Sequence, residues 1–301
     1  MSARGKVGSL VLRASAKINL SLRVGPFRPD GFHDVRTLMQ SIDLHDTLRL
    51  TPRAGPFELR SQSTEVPLDR TNLVWRAADL LWRTLGRSGE ARDARVTIDK
   101  VIPVGAGLGG GSADAAATLA GLNRLWKGGL DRSQLILLAA ELGSDVPFFL
   151  HGGTAVGAGR GEELYPVVDV APLHLVIVKP SFAVLAADAY RWLDEDRSRA
   201  IGADSSNTAI AVGWSTGPVS LVNDLTAPVV RRHPEIAAAI ERLQHEGAVA
   251  AAMSGSGSAV FGVFSARTAR RAARALRQSA WRVLLSRTLS RREACRRLRL
   301  C

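Results

Sequence analysis

The chain has 301 residues, 46% of them hydrophobic and 23% charged, which suits two folded domains or one large α/β unit and excludes wholesale disorder and a collagen-like or coiled-coil chain. A formal net charge of +12 raises the question of a polyanionic partner. The only two cysteines, Cys295 and Cys301, exclude a disulfide framework or a four-cysteine zinc site, and no apolar run approaches the ~18 to 20 residues that span a bilayer.

Ser9 to Leu22 alternates apolar with small or polar residues and predicts a strand pair or a bent strand. A loop with two prolines and two glycines follows (GPFRPDGFHD), then more strand over Val35 to Leu50, with Thr37–Ile42 and Asp46–Leu50 flanking a turn. Leu73, Ala77, Leu80, Leu81 and Leu85 have helical spacing, and Arg95 to Val101 reads as strand. After Pro103 comes a glycine-rich loop, then a helix of small residues over Ala113 to Leu125. Ser133 to Leu142 predicts a helix ending at Gly143, followed by a turn at Asp145 and Pro147 and a strand hairpin over Gly152 to Gly161. Leu173 to Val178 predicts a buried strand, Ala186–Leu193 and Glu235–Gln244 helices, and Ala248–Ser254 and Ser258–Phe264 strands around a second glycine loop. Thr268 to Leu276 predicts a basic helix. Between Ser265 and Cys301 stand twelve arginines and one acid, Glu293, so nearly all of the net charge lies there. A polyanion-binding tail is one reading; a solvated helix face with a basic terminus is the simpler one, because few aromatic rings interleave for base stacking. The cysteines point to a reducing compartment, and residues 1–17 lack the apolar stretch of a signal peptide, so a cytoplasmic protein away from membranes is expected.

Chemistry concentrates in four places. Pro103 to Ser112 (PVGAGLGGGS) carries five glycines, Gly105, Gly107, Gly109, Gly110 and Gly111, which let the backbone close around a ligand with its N–H groups turned inward. The helix that starts there would favour a phosphate, with Ser112 as N-cap or as a hydroxyl contact. No Lys-Ser/Thr pair follows, so this is not a Walker A loop. A G-x-G-x-x-G match at Gly105, Gly107 and Gly110 with Asp131 downstream is weak, because residues 129–132 read as a helix-starting turn. Ser254, Gly255, Ser256 and Gly257 form the second loop, either a tight turn or a second wall of the same site. Asp145, followed by Val-Pro-Phe-Phe, sits beside an apolar wall that makes a carboxylate a better base; Lys17 is a lysine on an otherwise apolar strand. Taken singly, each also suits a structural salt bridge.

Together the segments AKINL (16–20), RPDGFH (28–33), GLGGGS (107–112), GSDVPF (143–148) and NDL (223–225) resemble the GHMP kinase superfamily over residues 10 to 285, and within it the kinases of a cytidine-diphosphate-linked methylerythritol. The resemblance implies an α/β (α+β) fold of two domains, with an ATP-binding domain over residues 8–165, a ferredoxin-like domain over 166–286, a basic tail over 287–301, and the site in the cleft between the domains. It implies ATP and Mg²⁺ as cofactors, with Pro103, Gly105, Gly107, Leu108, Gly109, Gly110, Gly111 and Ser112 around the triphosphate and Asn72 and Lys100 near adenine. Asp145 would accept the proton of the attacking 2-hydroxyl, and Lys17 would keep Asp145 ionised. Asn19, Phe32, His33, Tyr190, Ser254, Gly255, Ser256 and Gly257 would contact the substrate, with cytosine stacked between Phe32 and Tyr190 and His33 bonded to its polar edge. Phe32 stands where the family has tyrosine, and Ala113 and Ala186 where it commonly has hydroxyl residues. The resemblance assigns no metal ligands and no subunit partner. A mevalonate- or homoserine-type kinase is the alternative within the superfamily, and a basic nucleic-acid-binding protein the alternative outside it. The aromatic and histidine residues favour the cytidine-linked alcohol over either small aliphatic one.

Overall fold

The computed structural model describes residues 8–199, 221–277 and 280–301; the basic residues 1–7 lie outside them. Two sheets carry the architecture. The first has seven strands: β1 (Leu10–Phe27), β2 (His33–Pro56), β3 (Glu58–Ser61), β4 (Arg92–Asp99), β5 (Thr154–Ala158), β6 (Glu163–Pro166) and, past β7, β8 (Val222–Asn223). Its order is β3-β4-β2-β1-β8, with β5 paired to β2 and β6. The second sheet is antiparallel, in the order β11-β7-β10-β9, from β7 (His174–Lys179), β9 (Ala250–Met253), β10 (Val260–Phe264) and β11 (Arg282–Arg287).

β1 and β2 form one long antiparallel hairpin. The turn expected between residues 42 and 46 is absent: β2 runs straight through, because Ile42, Leu44 and Asp46 keep the inward phase while Asp43 and His45 face outward. Even positions of β1 bury Leu10 and Leu12 in the first core and Ile18 and Leu20 in a core shared between the sheets, where Leu175, Ile177 and Phe261 meet them. Odd positions carry Lys17 and Asn19, both buried although polar. A strand covered on both faces that still holds a lysine and an asparagine side by side is built around a site.

The helices are α1 (Leu73–Thr84), α2 (Gly110–Leu125), α3 (Arg132–Leu142), α4 (Val146–His151), α5 (Ala186–Arg199), α6 (Thr226–Arg232), α7 (Glu235–His245), α8 (Ala266–Leu276) and α9 (Arg291–Arg297). The small residues of α2 let it lie close on the hairpin; a Cβ on Gly121 would stand 2.6 Å from Leu50 Cδ2. Asp131 caps α3 through a capping box with Gln134, which disposes of it as a ribose-binding acid. The turn expected at Asp145–Pro147 opens α4 instead, since proline costs nothing in the first helical turn, where its missing N–H has no partner to lose.

The last residues depart most from expectation. Instead of a basic tail, residues 288–300 return to the first sheet. Leu289 N donates to Ser41 O at 2.8 Å, and Gln40 Nε2 donates to Leu289 O at 2.8 Å. Ser290 caps α9 in a capping box with Glu293, whose carboxyl the Arg287 guanidinium holds down to about 2. Arg297 bonds Ser15 Oγ and the Asp43 carbonyl and pairs with the Asp43 carboxylate, while Leu298 enters the first core. These arginines are consumed inside the molecule, which sequence composition cannot reveal.

A second buried device holds the glycine loop. Lys100 Nζ lies 2.7 Å from Asp46 Oδ2 and 2.6 Å from Asp114 Oδ2. The other Asp46 oxygen accepts from Val101 N and Ile102 N at 2.6 and 2.8 Å. The strand entering the loop and the helix leaving it are thereby fastened to β2. Burial pushes the Asp114 carboxyl well up, only partly offset by Lys100; for Lys100, burial pulls down but the two aspartates outweigh it and hold the ammonium above its ordinary value.

Two outcomes are expected. Leu298→Ala should cost about 2–5 kcal/mol in urea unfolding, as a cavity in a packed core does, whereas a solvated tail would tolerate it. Lys100→Met should cost about 3–5 kcal/mol near neutral pH by leaving buried carboxylates unpaired. That loss should shrink toward about pH 4, because an acid with a raised folded pKa adds stability below its unfolded pKa and loses it as pH rises. An equal loss at both pH values would contradict it.

Candidate active site

A cleft of about 670 Å³ opens between the hairpin, the glycine loop, the start of α4 and α5. At one end lies Lys17, delivered by β1. Its ammonium is 2.6 Å from Asn19 Oδ1 and 3.4 Å from Asp145 Oδ2. The two partners differ in access: the Lys17 side chain is 5% exposed and the Asp145 side chain 40%. Asp145 occupies the N-cap position of α4, but its carboxylate caps nothing there, so it stays turned to the cleft. Asn19 Nδ2 donates to Thr37 Oγ1 at 2.7 Å, and Thr37 Oγ1 to Ser21 O at 2.8 Å, so each buried polar group hands on to the next.

The glycine loop stands beside this pair. Lys17 N donates to Leu108 O at 3.0 Å, which ties the loop to the strand bearing the lysine. Gly109 is the N-cap of α2, with φ near +71°, and no side chain caps the helix. Its first N–H groups and the positive end of a 16-residue helix are therefore available to an anion. Ser112 is thus in the first helical turn, not at the cap as one of the two expectations had it. A Cβ on Gly111 would meet nothing within 4 Å, leaving room at the helix mouth. The second glycine loop interlocks with the first: Ser254 Oγ donates to Gly107 O at 3.1 Å, and a Cβ on Gly107 would lie 2.1 Å from the Ser254 carbonyl oxygen. Asn223 secures that loop from below through Met253 O and Gly255 O at 2.9 and 2.7 Å.

Rings gather at the other end. His33 stacks on Tyr190, with centroids 5.3 Å apart and planes 20° apart, and meets Phe27 edge-on. Phe32 is half exposed, with the Arg160 guanidinium 5.0 Å over its face. Burial pushes the Tyr190 hydroxyl far above its ordinary pKa, and the Asp145 charge adds to the effect, so that hydroxyl stays protonated.

Of the residues singled out from sequence, Lys17, Asn19, Phe32, His33, Gly107, Gly109, Ser112, Asp145, Tyr190, Gly255 and Ser256 line this one cleft. Pro103, Gly105, Leu108, Gly110, Gly111, Ser254 and Gly257 belong to the two loops without lining it; Ser254 is fully buried and joins the loops. Asn72 and Lys100 are elsewhere. Asn72 caps α1, accepting from Val74 N, and Lys100 is held by its two aspartates. Thr37, Arg160 and Asp194 line the cleft and were missed. Asp194 could have been found, lying one helical turn beyond Tyr190; Arg160 reaches the site only through the hairpin of β5 and β6.

Comparison with known proteins finds relatives along most of the chain. The family model for the GHMP kinases N terminal domain matches residues 72–153, and that for GHMP kinases C terminal matches residues 210–282. The 4-diphosphocytidyl-2-C-methyl-D-erythritol kinase of Anaeromyxobacter dehalogenans is 48% identical over 88% of this chain and 83% of its own. That of Pelotomaculum thermopropionicum is 43% identical over 92% and 97%. A crystal structure of 4-(cytidine 5'-diphospho)-2C-methyl-D-erythritol kinase superposes with a TM-score of 0.76 at 37% identity, covering 93% of this chain and 99% of that one. A mevalonate kinase from L. major, 14% identical, shares the fold with a TM-score of 0.72. With nearly half its residues shared over most of its length with such relatives, the chain belongs to the GHMP kinases, in the family of the 4-diphosphocytidyl-2-C-methyl-D-erythritol kinases.

Proposed function

We propose that this kinase acts in the cytoplasm and transfers the γ-phosphoryl group of ATP to the 2-hydroxyl of 4-diphosphocytidyl-2-C-methyl-D-erythritol, giving ADP and the 2-phosphate. The observation that carries the reading is that one cleft has the Lys17–Asp145 pair and the helix mouth of α2 at one end and the rings of Phe32, His33 and Tyr190 at the other. A long substrate with an alcohol at one end and a pyrimidine at the other suits that spacing of chemistry.

Phosphoryl transfer asks a protein for positioning and charge stabilisation more than for covalent help. The loop from Gly107 to Ser112 receives the triphosphate on backbone N–H groups at the positive end of α2. Lys17 engages Asp145 Oδ2 and leaves Oδ1 to take the proton of the attacking hydroxyl as its oxygen closes on phosphorus. The buried ammonium faces that carboxylate and balances charge that gathers on the phosphoryl oxygens. Asn19, anchored by Thr37, holds Lys17 in place and orients the alcohol.

Among the described residues no three His, Cys, Asp or Glu side chains converge as a metal site. Mg²⁺ brought by a nucleotide needs few protein ligands, since phosphates and water complete its shell, so the donor set is compatible with it. The Ser112 hydroxyl, in the first turn of α2, and the Asp145 carboxylate both line the cleft, and either would offer it a protein oxygen. When bound, the ion neutralises charge across the triphosphate.

The reading is tested by ADP release with the cytidine diphosphate alcohol, mevalonate and homoserine compared side by side. Turnover confined to the first is expected, and turnover of either small alcohol in its place would end it. Asp145→Asn should lower kcat by about 10²- to 10⁴-fold, the usual worth of a general base, in a chain that still folds but melts lower, because buried Lys17 loses its counter-charge. A variant that keeps near wild-type kcat removes Asp145 as the base. Lys17→Met should likewise reduce kcat far more than it raises KM for ATP, and the reverse split would make Lys17 a ground-state binding residue.

A further inference from the structure

Helix α5 carries four acids, and their partners set one apart. Asp188, Glu195 and Asp196 pair with arginines: Asp188 and Glu195 with Arg191, Glu195 and Asp196 also with Arg232, and Asp196 with Arg231. Asp194 instead crosses to the hairpin, where its Oδ1 lies 2.8 Å from His33 Nε2. No arginine or lysine pairs with its carboxylate among the described residues. The His33 side chain is 5% exposed and lies between the Tyr190 face and Phe27, with Nε2 the nitrogen that meets the carboxylate. Among the described residues Nδ1 has no hydrogen-bond partner, and both His33 and Asp194 line the cleft.

A carboxylate only accepts, so it draws the proton of a neutral imidazole to the nitrogen it faces. Nε2 then carries the hydrogen, and Nδ1 presents a lone pair. We infer that Asp194 is a positioning residue that fixes His33 as its Nε2–H tautomer, so that Nδ1 accepts from the amino group of a 4-aminopyrimidine and rejects a pyrimidine bearing a carbonyl at that place. This rests on the reading that a cytidine-linked substrate occupies the cleft and adds what sets its base preference. A uracil would direct a carbonyl oxygen at the Nδ1 lone pair, two acceptors face to face in a largely buried site, and a buried acceptor left without a donor is what makes such a site selective.

The test uses the full chain with Asp194→Ala, the substrate and its uridine counterpart, and ¹⁵N shifts of the His33 ring. Wild type should show the Nε2–H tautomer and prefer the cytidine form. Asp194→Ala should mix the tautomers, raise KM for the cytidine substrate about tenfold and cut the cytidine-to-uridine preference about tenfold, while KM for ATP and the melting temperature hold. A merely structural contact would move the melting temperature and both KM values but not the base preference. An unchanged tautomer or an unchanged preference in Asp194→Ala overturns the inference and leaves the proposed function standing. A wild type that ignores the cytidine substrate overturns both.

Discussion

The ion pair between Lys17 and Asp145 joins a strand at the start of the chain to the loop before α4, and its asymmetry of access organises the site. An ammonium removed from water costs free energy unless it is paired and hydrogen-bonded, and here Asn19 and Asp145 do both. The carboxylate, more open, is left to meet a ligand. The hairpin must bury that lysine without collapsing around it, which is why β1 is packed by α2 at one end, by the second sheet in the middle, and by polar side chains at the odd positions.

Around that pair the molecule spends its unusual features on holding two glycine loops still. Gly107 admits the Ser254 carbonyl where any side chain would collide, Asn223 braces the second loop, and the Lys100–Asp46–Asp114 cluster pins both ends of the first. A loop that receives a polyanion on backbone N–H groups works only if those groups point the right way before the ligand arrives. The buried charges look extravagant as sources of stability; as fasteners for a preorganised anion site they have a purpose.

The C-terminal segment shows how charge counting misleads. Arg287, Arg291 and Arg297 bond to Glu293, to the backbone carbonyls of Thr154 and Val167, and to Asp43, respectively. The arginines of α8 do face solvent, as the reading of a solvated helix face had it. The same residue type thus serves two physical roles within one basic stretch.

What was legible from residue order alone was whatever depends on local chemistry. The glycine run that starts α2, the apolar alternation of β1 and the helical spacing of α1 and α3 are set by neighbours within a few positions, and so was the candidacy of Lys17 and Asp145, whereas that of His33 and Tyr190 came from the family resemblance. Lys100 and Asn72 are expected near adenine only from the family resemblance; the folded chain places two aspartates on the first and a helix end on the second. The docking of α9, the continuity of β2 through a polar stretch, and the meeting of His33 with Asp194 all rest on contacts between segments far apart in the chain. Such contacts are decided by which surfaces the sheets bring together, and no pattern along the sequence encodes that distance.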